Sequence, residues 1–177
     1  IHSVNEVEKA AKCVDIIQIP AFLCRQSELI QAAAKTGKHV NIKKGQFLSA
    51  QSMQFAAEKI KDSGNTNIIL TERGTMFGYN DLVVDYRSIP IMKSYGYPVV
   101  LDVTHSLQEP NNLSGLTGGK PKLIETIAKA GVAIGIDGIF LETHFSPNDS
   151  KSDSKNMLDL KSLEDLLIKL LRIRKSI

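Results

Sequence analysis

Five short runs rich in Val and Ile, separated by segments with helical spacing, constrain this 177-residue chain more than any other feature of it. The runs are VDIIQIP (14–20), HVNIKK (39–44), NIILTE (67–72), PVVLDVT (98–104) and GIFLET (138–143). None keeps strict apolar–polar alternation, which is the pattern of strands covered on both faces. SVNEVEKAAK opens the first helical stretch with the spacing of a capping box, Ser3 followed by Glu6. SELIQAAAKTG ends in Gly37, SMQFAAEKIKDSG in Gly64 and KPKLIETIAKAG in Gly131, each placed to stop a helix. The last stretch, SLEDLLIKLLRIRK, puts Leu163, Leu166, Leu167, Leu170 and Leu171 on one apolar face. Strand and helix alternate throughout, which predicts an α/β fold with a parallel sheet. An open doubly wound sheet and a (β/α) barrel both satisfy that rhythm. Five strands are too few for a closed barrel of eight, unless earlier strands precede the sequence given.

Composition removes several function classes. With 42% hydrophobic and 23% charged residues the chain has ordinary globular chemistry, so disorder is a poor reading. The net charge is only +3, and Lys and Arg are scattered rather than banded, so no nucleic-acid partner is expected. Aromatics at 6% and no Trp leave no platform for base stacking. No apolar run reaches the roughly 18 residues of a membrane span, so no membrane partner is expected either. Cys13 and Cys24 form neither a CxxC nor a disulfide framework, and read as reduced thiols of a cytoplasmic protein.

Chemistry gathers where the strands end. VNIKK ends in Lys43 and Lys44, and NIILTERG in Glu72 and Arg73. VVLDVTH ends in Asp102 and His105, and GIFLETH in Glu142 and His144, while DIIQIP leads on to Arg25. Parallel α/β folds bring strand C-termini to one face, so these groups are expected to converge on a site. Lys43, Arg73 and Arg25 suit phosphate or carboxylate. His105, Glu142, His144 and Asp153 are metal-ligand types of mixed nitrogen and oxygen character, with Asp149 close by; an acid–base set without metal satisfies the same residues. The polar stretch FSPNDSKSDSKN (145–156) reads as a long functional loop. GLTGGK (115–120) fails as a P-loop, because no Gly stands five residues before Gly119 and Pro121 replaces the Ser/Thr. No GxSxG elbow is present.

QIPAFLCRQ (18–26), NIKKGQF (41–47), LTERGTMFGYNDLVVD (70–85), DVTHSLQ (102–108) and GIFLETHFSPNDSKSDS (138–154), in this order and spacing, resemble the 3-deoxy-D-manno-octulosonate 8-phosphate synthase family. The similarity runs through essentially the whole chain. Synthases that make heptulosonate 7-phosphate from erythrose 4-phosphate share the ERG and the late His, Glu and Asp. FGYNDLVVD and THSLQ resemble the octulosonate family instead.

The resemblance implies a TIM (β/α)8 barrel, commonly a homotetramer. Residues 1–177 would be a single domain, the C-terminal part of that barrel. They would supply roughly the last five βα units, with the N-terminal strands missing. The implied activity is an aldol-type condensation of phosphoenolpyruvate with D-arabinose 5-phosphate and water, a transferase step of lipopolysaccharide biosynthesis. Lys43 and Arg73 match positions that hold phosphoenolpyruvate, and Arg25 one that meets a substrate phosphate near a subunit interface. His105, Glu142 and Asp153 match ligands of one divalent ion (Fe2+, Zn2+ or Mn2+), and His105 and Gln108 match residues at the reacting groups. His144 falls outside the ligand set. The family also has a metal-independent branch, distinguished best by a Cys or Asn on an early strand; SDS at 152–154 leans toward the metal-dependent one. Gly45 departs from a usual Pro, and Ser154–Lys155 from a frequent Gly-Pro or Gly-Ala. The rival expectations are the heptulosonate synthase and a catalytically inactive barrel fragment that serves as a scaffold.

Overall fold

The computed structural model describes residues 1–77, 81–110 and 117–177. Residues 78–80 of FGYNDLVVD, Leu113 and the first two residues of GLTGGK lie outside the described residues. The chain divides into two compact units, Ile1–Glu72 with Arg87–Val99, and Arg73–Tyr86 with Val100–Ile177.

The first unit runs α1 (Val4–Ala11), β1 (Ile16–Ile19), α2 (Ser27–Lys35), β2 (His39–Lys43), α3 (Met53–Asp62) and β3 (Ile68–Glu72), with a short α4 (Ser88–Lys93). β1 pairs with β2 and β2 with β3, all parallel. The register places Ile17 beside Val40 and Ile19 beside Ile42, then Val40 beside Ile68 and Ile42 beside Leu70. All six are buried and share one face. α2 buries Leu29, Ile30, Ala33 and Ala34, and α3 buries Met53, Ala56, Ala57 and Ile60. Each fully buried Ile or Leu contributes about 1.5–3 kcal/mol, so this layer holds the unit together.

The opposite face is mixed, with Ile16 and Ile69 among its polar residues. The Asn41 amide donates to Gln18 Oε1 at 3.4 Å, and the Thr71 hydroxyl donates to Asn41 Oδ1 at 2.6 Å. Strict apolar–polar alternation is absent, as expected, and Asn41, Lys43 and Thr71 of this second face are buried as well. Single polar residues flanked by Ile and Leu look like interruptions until the register lines them up. Gly37 and Gly64 take left-handed φ values of 73° and 86° at helix ends, as expected. Ser3 caps nothing with its side chain. Glu6 reaches past it to accept the His2 N–H at 2.7 Å, a bond that holds the Glu6 carboxyl below its usual range. α4, with Pro90 in its first turn, is too short to show helical periodicity in the sequence.

In the second unit β6 (Val99–Asp102), from Val100 onward, pairs parallel with β9 (Gly138–Phe140). Ahead of it, β4 (Thr75–Met76) and β5 (Leu82–Val83) form an antiparallel pair. β7 (Gln108–Glu109) and β8 (Gly118–Gly119) form another. β10 (Thr143–His144) pairs parallel with β11 (Leu158–Asp159). α5 (Ile124–Ala133) packs on α6 (Leu163–Arg174). Each unit thus carries parallel pairing with helices between strands, which is α/β architecture.

Two helix expectations need correction. Gly131 does not end its helix: α5 continues through Ala133, and Gly135 takes the left-handed turn with φ 87°. Gly131 is required by close approach, since a Cβ there would lie 2.5 Å from Leu101 Cδ2. In α6 only Leu166 and Leu170, four residues apart, are buried. Leu167 and Leu171 lie about 100° around the helix from them and are 44% and 58% exposed.

Gly131→Ala forces the α5 backbone off Leu101 and should destabilise the protein by about 1–3 kcal/mol in urea titration, at unchanged m-value. The Tyr86 hydroxyl donates to the Ile127 carbonyl at 3.0 Å, and burial pushes its pKa up to about 12. Its contribution to stability is complete below the ordinary tyrosine value near 10 and is lost as pH rises through about 12. Tyr86→Phe should therefore flatten the fall in stability over that alkaline window.

Candidate active site

The site in the second unit begins where β6 leaves the core. Asp102 is fully buried, and its Oδ1 accepts the Thr104 N–H at 3.1 Å, the His105 N–H at 2.8 Å and the Thr104 hydroxyl at 3.1 Å. These local bonds turn the chain out of the strand, as an Asp side chain does when it accepts from backbone N–H groups two and three residues on. Oδ2 lies 2.8 Å from His105 Nδ1, so Nδ1 carries a proton and the ring is held by its carboxylate. The other ring nitrogen, Nε2, faces Glu142 Oε1 at 3.4 Å. Thr104 serves this second strand end too, its hydroxyl oxygen accepting the Glu142 N–H at 3.3 Å.

Asp153 comes from the 145–156 loop and stands in the left-handed region, φ 50°. Its Oδ1 accepts from the Gln108 amide at 2.6 Å, and Gln108 Oε1 accepts from the Arg73 guanidinium at 2.6 Å. One ligand atom from each of His105, Glu142 and Asp153 falls within 4.8 Å of the others. One imidazole and two carboxylates suit a divalent transition metal. A second observation supports the fit. His105 faces a carboxylate at both ring nitrogens, Asp102 at Nδ1 and Glu142 at Nε2, a donor set that would accommodate a cation between Nε2 and the Glu142 and Asp153 carboxylates. The orientation by Asp102 is what a metal-binding histidine needs.

The structure brings Arg73, His105, Gln108, Glu142 and Asp153 together within this unit. His144 is turned aside, with Nδ1 2.7 Å from the Ser146 carbonyl and its ring stacked on Phe145. Asp149 accepts the Ser146 hydroxyl at 2.5 Å and does not join the cluster. The sequence offered Asp102 as one more strand-end charge; its spacing three residues before His105 was the signal for its orienting role.

In the first unit the two lysines of NIKKGQF part company. Lys43 is buried and shares strand parity with the polar Asn41. Lys44 continues the parity of Ile42, fully buried, with Nζ 3.4 Å from the equally buried Glu72 Oε1. Its ammonium also donates to the Leu48 carbonyl at 3.2 Å. Lys44 and the Glu of ERG are thus an internal pair rather than open strand-end charges. Arg25 is exposed and borders a hollow of about 300 Å³ with Ser52, Phe55 and Lys59. A Cβ on Gly45 would lie 2.9 Å from Phe47 Cζ, so the loop after β2 is tightly packed. Burial pushes the Cys24 thiol up in pKa, which disfavours a nucleophilic thiolate.

Glu72→Gln leaves Lys44 buried against a neutral partner and should cost about 3–5 kcal/mol in urea denaturation. The double replacement Lys44→Met with Glu72→Leu should recover most of that loss. A single-variant cost below about 1 kcal/mol would show that the pair is solvated like a surface bridge.

Comparison with known proteins now bears on this geometry. A 2-dehydro-3-deoxyphosphooctonate aldolase of Trichlorobacter lovleyi is 55% identical over 170 residues, covering 96% of this chain and 62% of the relative. Proteins of the same name from Rhizobium meliloti and Koribacter versatilis are 52% and 49% identical over 97% and 100% of the chain. The chain spans 61–64% of the length of these relatives. The family model described as the DAHP synthetase I family matches residues 1–177 from end to end, and the chain belongs to that family.

Proposed function

We propose that the full protein condenses phosphoenolpyruvate with D-arabinose 5-phosphate and water, releasing inorganic phosphate and 3-deoxy-D-manno-octulosonate 8-phosphate. Residues 1–177 form the C-terminal part of its (β/α)8 barrel. The observation that carries this reading is the 49–55% identity, across 96–100% of the chain, to relatives named as that aldolase. The setting is a cytoplasmic homotetramer that serves lipopolysaccharide synthesis.

The reaction brings two polyanions side by side, and the site residues divide that work. Arg73, oriented through Gln108, presents a planar fork to the phosphate or carboxylate of phosphoenolpyruvate. Lys43 adds positive charge to the same substrate. Arg25 meets the pentose phosphate near a subunit interface. Binding both substrates in register supplies proximity, the larger part of the catalytic effect for a reaction between two anions. C3 of phosphoenolpyruvate attacks the aldehyde carbon, and the new alkoxide takes a proton. Water adds at C2 and loses one proton, which balances the one the alkoxide takes. The C–O bond to phosphate then breaks as the C2 hydroxyl becomes the ketone, and that second proton leaves with the phosphate. His105, its Nδ1 engaged by Asp102, would offer Nε2 as the ligand atom where a metal is bound, or would hold or move a proton there in a metal-free site, and Gln108 keeps Asp153 and Arg73 in place. A divalent ion (Fe2+, Zn2+ or Mn2+) held by His105, Glu142 and Asp153 would polarise an oxygen ligand and lower the pKa of bound water.

The test is phosphate release by the full-length protein, with arabinose 5-phosphate or erythrose 4-phosphate as acceptor. Turnover is expected with the pentose phosphate alone. Chelation should lower it by about ten-fold or more, with recovery on adding Mn2+, Fe2+ or Zn2+. Turnover with erythrose 4-phosphate instead would reassign the substrate. Activity that survives exhaustive chelation would place the protein in the metal-independent branch. Silence with both sugars, from a folded protein, would favour the inactive scaffold.

A further inference from the structure

We propose that Asn156 is a positioning residue, the link that holds Asp153 against the cation position and keeps its loop in register with the β7–β8 hairpin. The inference rests on the proposed metal reading only for its functional consequence; the structural link stands by itself.

Asn156 is 1% exposed, although it sits in a polar loop where SKSDSKN gives no reason for burial. Its backbone N–H donates to the Asp153 carbonyl at 2.8 Å, closing a turn around the left-handed Asp153. Its side-chain amide donates to the Gly118 carbonyl at 3.0 Å, on β8. The seat is built for it from the other side as well. A Cβ on Gly119 would overlap the Asn156 amide, so the hairpin admits this side chain only because Gly119 has none. Gly119 lies directly across from Gln108 in the β7–β8 register, and Gln108 is the residue whose amide grips Asp153. Asp153 is thereby held from two directions, at its carboxylate by Gln108 and at its backbone by Asn156, and both holders are anchored on one hairpin.

The arrangement has a physical cost that argues for a purpose. A left-handed conformation at a non-glycine residue is disfavoured by roughly 1–2 kcal/mol and persists only where its surroundings enforce it. Asn156 Oδ1 is buried without a hydrogen-bond partner, a further penalty of about 1–3 kcal/mol. A loop that only had to close would accept a small or solvated residue at this position. The extra rigidity goes to Asp153, the one member of the cluster that no strand positions.

Two readouts on the full-length protein test the proposal. Mn2+ binding, followed by loss of the free-ion electron paramagnetic resonance signal, should weaken about ten-fold or more in Asn156→Ala. Gly119→Ala, which displaces the same amide from the opposite side, should weaken it similarly. Adding Gly119→Ala to Asn156→Ala should cost little more, because the new methyl then has room. Hydrogen–deuterium exchange in parent and variant protein supplies the second readout. Asn156→Ala should speed exchange in peptides covering 150–158 and 105–110 while leaving α5 unchanged, which also certifies the fold. Unaltered Mn2+ affinity in a folded Asn156→Ala variant would overturn the functional claim. Exchange that rises only at 150–158 would overturn the link to the hairpin. Failure of the parent protein to bind Mn2+ would sink the metal reading alone, and the exchange experiment would still decide the positioning role.

Discussion

The carboxylate of Asp102 is the constraint on which the rest of the site depends. A fully buried charge must be surrounded by donors, and Asp102 finds the Thr104 and His105 groups within three residues of itself. Satisfying it turns the chain out of β6, selects the proton-bearing nitrogen of His105 and fixes Thr104 where its oxygen also receives the Glu142 N–H. Two of the three candidate ligands are therefore set by one buried charge and one hydroxyl.

The third is set differently. Asp153 belongs to a loop, and its place comes from the chain of hydrogen bonds that runs from Arg73 through Gln108. Strands give His105 and Glu142 rigid origins, whereas Asp153 depends on polar bonds whose geometry is strict but whose individual net energy is about 1 kcal/mol. A site built this way couples the Arg73 guanidinium to the Asp153 carboxylate through a single amide. The first unit has the opposite character. There the apolar face of three parallel strands supplies the stability, and the only charges on it, Lys44 and Glu72, neutralise each other inside.

Much of this was legible from residue order alone. The strand–helix rhythm points to the α/β architecture, and the family resemblance points to His105, Glu142 and Asp153, whose ligand atoms lie within 4.8 Å of one another. Those choices rested on a family resemblance as much as on residue type, since spacing by itself equally admitted His144 and Asp149. The misread features share one cause. Gly131 has the look of a helix stop, and Lys44 and Glu72 of open strand-end charges. In each case the deciding fact was what lay opposite across space, Leu101 for the glycine and the paired strand for the others.

Local composition and period were enough to specify which segments become strand or helix, because backbone sterics and apolar periodicity act over a few neighbouring residues. They were also enough to place acids, bases and cations at strand ends. Partnership was beyond their reach. Asp102 comes to orient His105, Lys44 to pair with Glu72 inside the unit, and Asn156 to be buried against Gly118, only through contacts between residues up to 38 positions apart. Such contacts depend on distance in the folded chain, which residue order encodes only through the fold itself.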